Sequence, residues 1–386
     1  MKRIIIFSVA YYPFVGGAEI AVREIARRIT GVEFHLVTVN LNGKEKAYEK
    51  IDDVHVYRVG RALGAIGEAT GWKIAKYFFP ILGTLKALRL HHRLHFSAAW
   101  SIMAEYAGFA TLFFTFLKPQ VKFILTLQEG DPIEHLKRRA WIAHPLFLMI
   151  FKRANVIQTI SNFLAGMARD FGATAPIHVI QNGVDTGLFA REYSVDEIEN
   201  LKQTVGKILG DRWLVTTSRL VVKNGVDTVI RALPLLPENV SLLVLGEGEL
   251  EGELKNLAFN LEVEKRVVFL GFISHEDMPK YLKVADVFVR PSRSEGLGNS
   301  FIEAMAAGLP VIATNVGGIP DFLTHGETGL FCEVDNHVSL ASSVMTLLED
   351  ADLRSKVITK GRELAISEYN WENIAKDMEI KIFSKV

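Results

Sequence analysis

Residues 287–314 read VFVRPSRSEGLGNSFIEAMAAGLPVIAT. A short apolar, β-branched run from Val287 to Arg290 reaches a turn at Pro291-Ser292, and a glycine-bearing loop follows. The spacing predicts a helix from Ser300 to Ala307, which Gly308 and Pro310 stop before a second apolar run, Val311 to Thr314. Two short, continuously apolar strands separated by a helix are the pattern of a parallel sheet covered on both faces. Working outward, the same alternation runs along most of the chain. Strands are expected at Ile4–Ala10, Phe34–Asn40, Val54–Val59, Ala98–Met103, Phe123–Gln128, Val156–Ile160 and His178–Gln181, then at Trp213–Ser218, Ser241–Leu245 and Val267–Leu270. With helices between them, these make two doubly wound α/β domains, whose ligands belong at the carboxyl ends of the strands.

A chain of 386 residues exceeds what one hydrophobic core usually serves. The turn Asn182-Gly183-Val184-Asp185, followed by a polar, acidic stretch, places the break between the domains. The expected division is residues 1–186 and 187–367, with residues 368–386 packing back on the first domain. In that last segment Trp371, Ile374, Met378 and Ile382 recur near helical spacing, the mark of an amphipathic helix. Cys332 is the only cysteine, which excludes an internal disulfide framework and thiolate zinc clusters and fits a reducing, cytoplasmic setting. The apolar stretch Ala98 to Leu117 reads as a buried strand and a helix packed on a sheet, in preference to a membrane span. Net charge is zero overall, yet residues 1–190 hold 23 Lys or Arg against 14 Asp or Glu, so the front half prefers anionic surroundings.

The chemistry concentrates where the opening stretch turns into its helix. Glu295 and Glu303 stand eight residues apart around a helix N-terminus. Free N–H groups there, with the positive end of the helix dipole, suit a diphosphate or an electron-rich hydroxyl. Gly296 and Gly298 let a ligand approach the backbone. An ionised carboxylate only accepts hydrogen bonds, which suits sugar hydroxyls at Glu295 and a ribose diol at Glu303. Ser300 and Glu303 also fit the S-x-x-E capping box, so Glu303 has a second reading as a tie for its own helix.

This segment resembles the E-x7-E signature of the retaining, family 4 glycosyltransferases of GT-B fold. Other pieces match in order over nearly the whole chain: Pro13-Phe14-Val15-Gly16-Gly17-Ala18-Glu19 is similar to the family's N-terminal glycine loop, Asn182-Gly183-Val184-Asp185 with Phe189 to its interdomain turn, Ser218-Arg219-Leu220 with Lys223 to its diphosphate-binding strand end, and Gly246-Glu247-Gly248 to a following loop. The resemblance implies two doubly wound, Rossmann-like domains facing each other across a cleft, and transfer from a nucleoside diphosphate sugar with retention of configuration. It implies that Arg219 and Lys223 hold the diphosphate, Glu295 the donor sugar and Glu303 the ribose. Gly16, Gly17, Gly296, Leu297, Gly298, Asn299 and Ser300 complete the donor contacts. A guanidinium, an ammonium and a helix N-terminus stabilise a departing diphosphate without a metal, so neither metal nor other cofactor is expected.

Two positions depart from the family pattern. Lys223 follows Arg219 by four residues where five is usual, and Asn224 stands in the fifth place, leaving two candidates for the phosphate contact. The family's first-domain histidine aligns with Gln128, which hydrogen-bonds a sugar but does not titrate near neutrality; neighbouring Glu129 and Asp131 either serve the site or cap the next helix. The formal D-x-D at Asp350-Ala351-Asp352 reads as a helix cap and not as a metal motif. No G-x-G-x-x-G, P-loop or G-x-S-x-G spacing supports an oxidoreductase, ATPase or serine hydrolase. The rival readings are an epimerase of nucleotide sugars on the same fold and a catalytically silent nucleotide-sugar-binding protein.

The expected partners are a nucleotide-sugar donor and a glycan or lipid-linked acceptor, with no nucleic acid. Between Arg58 and Arg93 the cations Arg58, Arg61, Lys73, Lys76, Lys86, Arg89 and Arg93 meet one acid, Glu68, and alternate with Trp72, Ile74, Tyr77, Phe78, Phe79, Ile81 and Leu82; Lys137, Arg138, Arg139 and Trp141 follow. Two readings stand side by side. One is peripheral attachment to an anionic inner membrane face; the other is a helix that buries its aromatics on the sheet and leaves its cations in water.

Overall fold

Ile4, Ile5, Ile6 and Phe7 in the first strand, β1 (Lys2–Phe7), are all fully buried, so both faces of the strand need cover. Ile4 and Ile6 enter one core and Ile5 and Phe7 another, as the two-residue period of a strand requires. This is a computed structural model, and it describes residues 1–14, 16–60, 68–131 and 143–386. Within them the chain divides into two compact units, Met1–Asn182 with Trp371–Val386, and Gly183–Asn370. In the second unit Val184 N–H donates to the Tyr369 carbonyl, and Val184 bridges Asn370, so the two chain crossings lie side by side there.

The first unit is a sheet in the order β3-β4-β2-β1-β5-β6-β7-β8, with β2 Val32–Val39, β3 Tyr48–Ile51, β4 Val54–Val59, β5 Ala98–Ile102, β6 Lys122–Leu127, β7 Val156–Thr159 and β8 Ile177–Val179. Every pair is parallel except β3 with β4. The sequence pattern did not announce β3: its four residues YEKI form a polar, largely solvated edge with no apolar run. One face carries helix Gly17–Ala26 and the C-terminal segment, where Trp371, Ile374, Met378, Ile382 and Phe383 join Ile4, Phe34 and Trp100 in a core. That segment is a helix only over Trp371–Asp377; a wider π turn and a 3₁₀ turn finish it. The other face carries helices Glu68–Leu94 and Tyr106–Leu117, through Phe79, Ala87, Ala110 and Phe114.

The second unit is an all-parallel sheet in the order β11-β10-β9-β12-β13-β14, with β9 Arg212–Thr217, β10 Val240–Leu245, β11 Val267–Gly271, β12 Val287–Arg290, β13 Val311–Thr314 and β14 Leu330–Cys332. In both units the first strand lies inside the sheet and the order reverses beside it. A crevice opens at such a point outside the carboxyl ends of the strands. In the second unit it falls between the segments following β9 and β12, which start at Ser218 and Pro291; in the first, between those following β1 and β5. Among the described residues no helix is long and apolar enough to cross a membrane. Asp350 accepts a hydrogen bond from Leu353 N–H and caps the helix Ala351–Glu368.

Candidate functional site

Arg219 leaves the end of β9 exposed to solvent and has no side-chain partner among the described residues. Its backbone is held from both sides. Asn224 is buried and donates from its amide to the Arg219 carbonyl at 2.7 Å, and Leu220 N–H donates to the Glu247 carbonyl. The loop after β10 presses against this turn: a Cβ at Gly246, whose φ is +136°, would stand 2.0 Å from the Ser218 carbonyl oxygen. No side chain fits there, so the glycine is what lets the two strand ends meet. Of the two candidates four and five residues beyond Arg219, Asn224 turns inward to brace the arginine, and the half-buried side chain of Lys223 is the cationic one.

The second wall of the crevice is the segment that opened the sequence. Its helix runs Asn299–Ala306, one residue earlier than the spacing predicts, and starts from Gly298 in the left-handed region (φ +99°) with no side chain capping it. The capping-box alternative is therefore overturned. Ser300 sits inside the helix, its hydroxyl accepting from Arg290 Nη1 at 2.6 Å, and Glu303 lies two residues beyond the position from which a side chain reaches back to the cap. Glu303 Oε1 lies instead 3.2 Å from His275 Nε2, and the His275 ring meets Phe189 edge-on at 5.0 Å. Glu295 is held at both oxygens: Oε2 accepts from Arg290 Nη2 at 2.6 Å and Oε1 from Gly296 N–H at 3.0 Å. That last bond commits the Gly296 N–H to the protein. Leu297 is fully buried, so its side chain packs into the protein. Behind the loop Gly317 (φ +57°) approaches so closely that a Cβ would lie 1.8 Å from the Glu295 carbonyl oxygen.

The first unit, taken by itself, holds a smaller set of the expected residues. Gly16 and Gly17 begin the helix after β1, where Gly16 N–H donates to Glu19 Oε2 at 2.8 Å; burial raises the Glu19 pKa. Gln128 follows β6 and accepts from Asn182 Nδ2 at 3.1 Å. Glu129 next to it is fully buried, takes Ala104 N–H at 2.7 Å on one oxygen, and leaves Oε2 without a partner among the described residues. Burial pushes its carboxyl up to about 7. The residue it fastens follows Met103, which closes β5 in the left-handed region at φ +72° and is pinned by Ser101 Oγ donating to its carbonyl. Glu129 thus stabilises a strained turn at the first unit's crevice; the alternative reading, a cap for the next helix, falls outside the described residues.

Arg290 and His275 escaped the sequence reading as site residues. A strand-end arginine and a loop histidine carry no local signature; each is recognised only by what it touches. Val15, Arg61, Pro132, the side chains of Trp72 and Lys73, and Lys137, Arg138, Arg139 and Trp141 lie outside the described residues.

Comparison with known proteins accords with this geometry. The family model described as Glycosyltransferase Family 4 matches residues 15–188, and that described as Glycosyl transferases group 1 matches residues 197–364. A glycosyltransferase of Methanocaldococcus jannaschii is 33% identical over 203 residues, a match spanning about half (52%) of each chain. The GDP-mannose-dependent alpha-(1-6)-phosphatidylinositol monomannoside mannosyltransferase of Mycobacterium tuberculosis is 27% identical over 398 aligned positions, 97% of this chain and 96% of that one. In fold, the Anabaena protein HepE, solved with UDP and glucose, superposes over the whole of both chains with a TM-score of 0.80 at 21% identity. With family 4 in its first unit, group 1 in its second, and GT-B neighbours end to end, the chain belongs to the group 1 glycosyltransferases of GT-B fold.

Proposed function

We propose that this glycosyltransferase moves a sugar from a nucleoside diphosphate sugar to an acceptor hydroxyl with retention of configuration, and that the acceptor is carried by a lipid. The observation that supports it most is the crevice between β9 and β12, where exposed Arg219 stands across from an uncapped helix N-terminus and a carboxylate held at both oxygens. In this reading the diphosphate lies against Arg219, Lys223 and the N–H groups around Asn299 and Ser300, the sugar hydroxyls reach Glu295, and the ribose reaches Glu303. The acceptor oxygen bonds to the anomeric carbon on the face from which the diphosphate departs; the carbon–oxygen bond to the diphosphate breaks, and a leaving phosphate oxygen takes the acceptor's proton. Gln128 is then a hydrogen-bonding partner and no base is needed there. The accumulating phosphate charge falls on fixed cations and dipoles, so the proposal includes no metal.

The lipid-borne acceptor rests on a separate observation. Helices Glu68–Leu94, Tyr106–Leu117 and His144–Arg153 pack in succession, Gly83 against Ala110 and Gly108 against Ile150. Each leaves large apolar side chains in water: Tyr77, Phe78, Ile81 and Leu85 on the first, Phe116 and Leu117 on the second, Leu146 and Met149 on the third. Arg89 and Arg93 are exposed on the first of these helices. Such a face suits a headgroup region. The Mycobacterium tuberculosis relative is named for an acceptor built on phosphatidylinositol.

The experiment is nucleoside diphosphate release from a panel including GDP-mannose, UDP-glucose and UDP-N-acetylglucosamine, for the wild type and the Arg219→Ala and Glu295→Ala variants. The wild type should turn over at least one donor, and each variant should lose on the order of 10²-fold in kcat while remaining folded. Wild-type turnover by folded Glu295→Ala defeats the assignment.

A further inference from the structure

Arg290 closes β12 with its side chain only 8% exposed, and its guanidinium reaches three separate pieces of chain. Nη1 donates to the Thr217 carbonyl at 3.3 Å, at the end of β9, and to Ser300 Oγ at 2.6 Å, in the helix; Nη2 donates to Glu295 Oε2 at 2.6 Å, in the loop between. Its plane lies over the Phe301 ring at 4.3 Å. These are the walls of the crevice, joined by one planar fork. Its Nε remains buried without a partner among the described residues. A buried ion pair is seldom worth more to stability than apolar residues of equal volume, and this one leaves a donor unsatisfied. What the arrangement does supply is direction: with Nη1 held on the Thr217 carbonyl and Ser300 Oγ, the rigid guanidinium plane aims Nη2 at one oxygen of the Glu295 carboxylate, which a point charge does not do.

We infer that Arg290 is a positioning residue for transfer: it holds the Glu295 carboxylate so that its remaining lone pairs meet the hydroxyls of the donor sugar, and it acts on the reaction through Glu295. This rests on the donor placement proposed above. The contribution belongs to the sugar and not to the diphosphate, because the carboxylate that Arg290 holds is the one assigned to the sugar hydroxyls, and its contact with Ser300 is to the side-chain hydroxyl and not to the N–H groups of the helix N-terminus.

Arg290→Lys keeps the charge and removes the fork, and Glu295→Gln keeps the shape and removes the acceptor charge. Each variant and the double variant are compared with wild type by calorimetric affinity for UDP against UDP-glucose and for GDP against GDP-mannose, and by nucleoside diphosphate release in water, which needs no identified acceptor. Circular dichroism and melting temperature monitor the fold. In Arg290→Lys, affinity for the nucleoside diphosphate should stay within about twofold, the extra affinity conferred by the sugar should disappear, and kcat should fall by about tenfold or more. The double variant should be no slower than Glu295→Gln alone, because one residue works through the other. Losses that multiply in the double variant, equal weakening of diphosphate and nucleotide sugar, or wild-type kcat in Arg290→Lys each overturn the inference while leaving the donor reading intact. A wild type that binds neither pair overturns the donor reading and this inference with it.

Discussion

Glu303 and Glu129 are two buried or half-buried carboxylates whose surroundings assign them different work. Glu303 caps nothing and faces His275 at 3.2 Å, so Glu303→Gln removes charge without touching a helix end. Donor affinity should fall about tenfold, the loss typical of one charge-assisted hydrogen bond, at a nearly unchanged melting temperature. A drop in melting temperature with unaltered affinity would reverse that assignment. Glu129 is set apart by burial, which raises its carboxyl to about 7, above the ordinary value of 4.5. The folded state therefore keeps a proton that the unfolded chain has released, and stability falls as pH rises from about 4.5 to about 7, then levels off. At about 1.4 kcal/mol per pH unit, the loss approaches about 3.5 kcal/mol. Glu129→Gln keeps an oxygen for Ala104 N–H and carries no titratable group, so its melting temperature relative to wild type should rise between pH 5 and pH 8. A difference that stays constant over that range would show that Glu129 is ionised in the folded protein.

Among the elements, the C-terminal segment has the most work for its length. Phe383 is 2% exposed, meeting Trp100 edge-on at 5.1 Å and Phe34 at 5.7 Å, and it lies in a 3₁₀ turn that no heptad spacing announces. The π turn at Met378–Ile382 shifts the face that the segment presents, which is how Met378, Ile382 and Phe383 all reach one core. Phe383→Ala should destabilise the first unit by about 3–5 kcal/mol through the cavity it leaves, as read by denaturant unfolding followed at the tryptophans. Affinity for a nucleoside diphosphate, assigned to the second unit, should be unchanged; a small stability change would mean that the segment is only loosely docked. The segment 287–314 makes the opposite case. Its strand, loop, helix and strand are all local in origin, and they form within a residue of the expected limits.

At the scale of the whole molecule, the concentration of positive charge in the front half and the apolar side chains of three adjoining helices predict attachment to anionic membranes. The protein should float with vesicles containing phosphatidylglycerol at low salt, less at high salt, and not with vesicles of phosphatidylcholine alone. A Tyr77→Ser, Phe78→Ser, Ile81→Ser triple variant should lose flotation and keep donor turnover. No binding to anionic vesicles at low salt would end the membrane proposal and leave the glycosyltransferase family untouched. The structure already revises this surface: Phe79 is fully buried, and Arg58 lies inside, paired with Glu49 and donating to the Tyr12 carbonyl, so neither is available to lipid. The sequence by itself determined the parallel α/β alternation and the strand, loop, helix and strand around Glu295, because strand period, helix stops and turn glycines are properties of neighbouring residues. Only the tertiary structure decided that the sheet order reverses beside β9, that Arg290 grips Glu295, that His275 and not a helix cap meets Glu303, and that Glu129 is sealed from water. Those facts are pairings between residues far apart in the chain or sums of burial over many elements, and no local pattern encodes them.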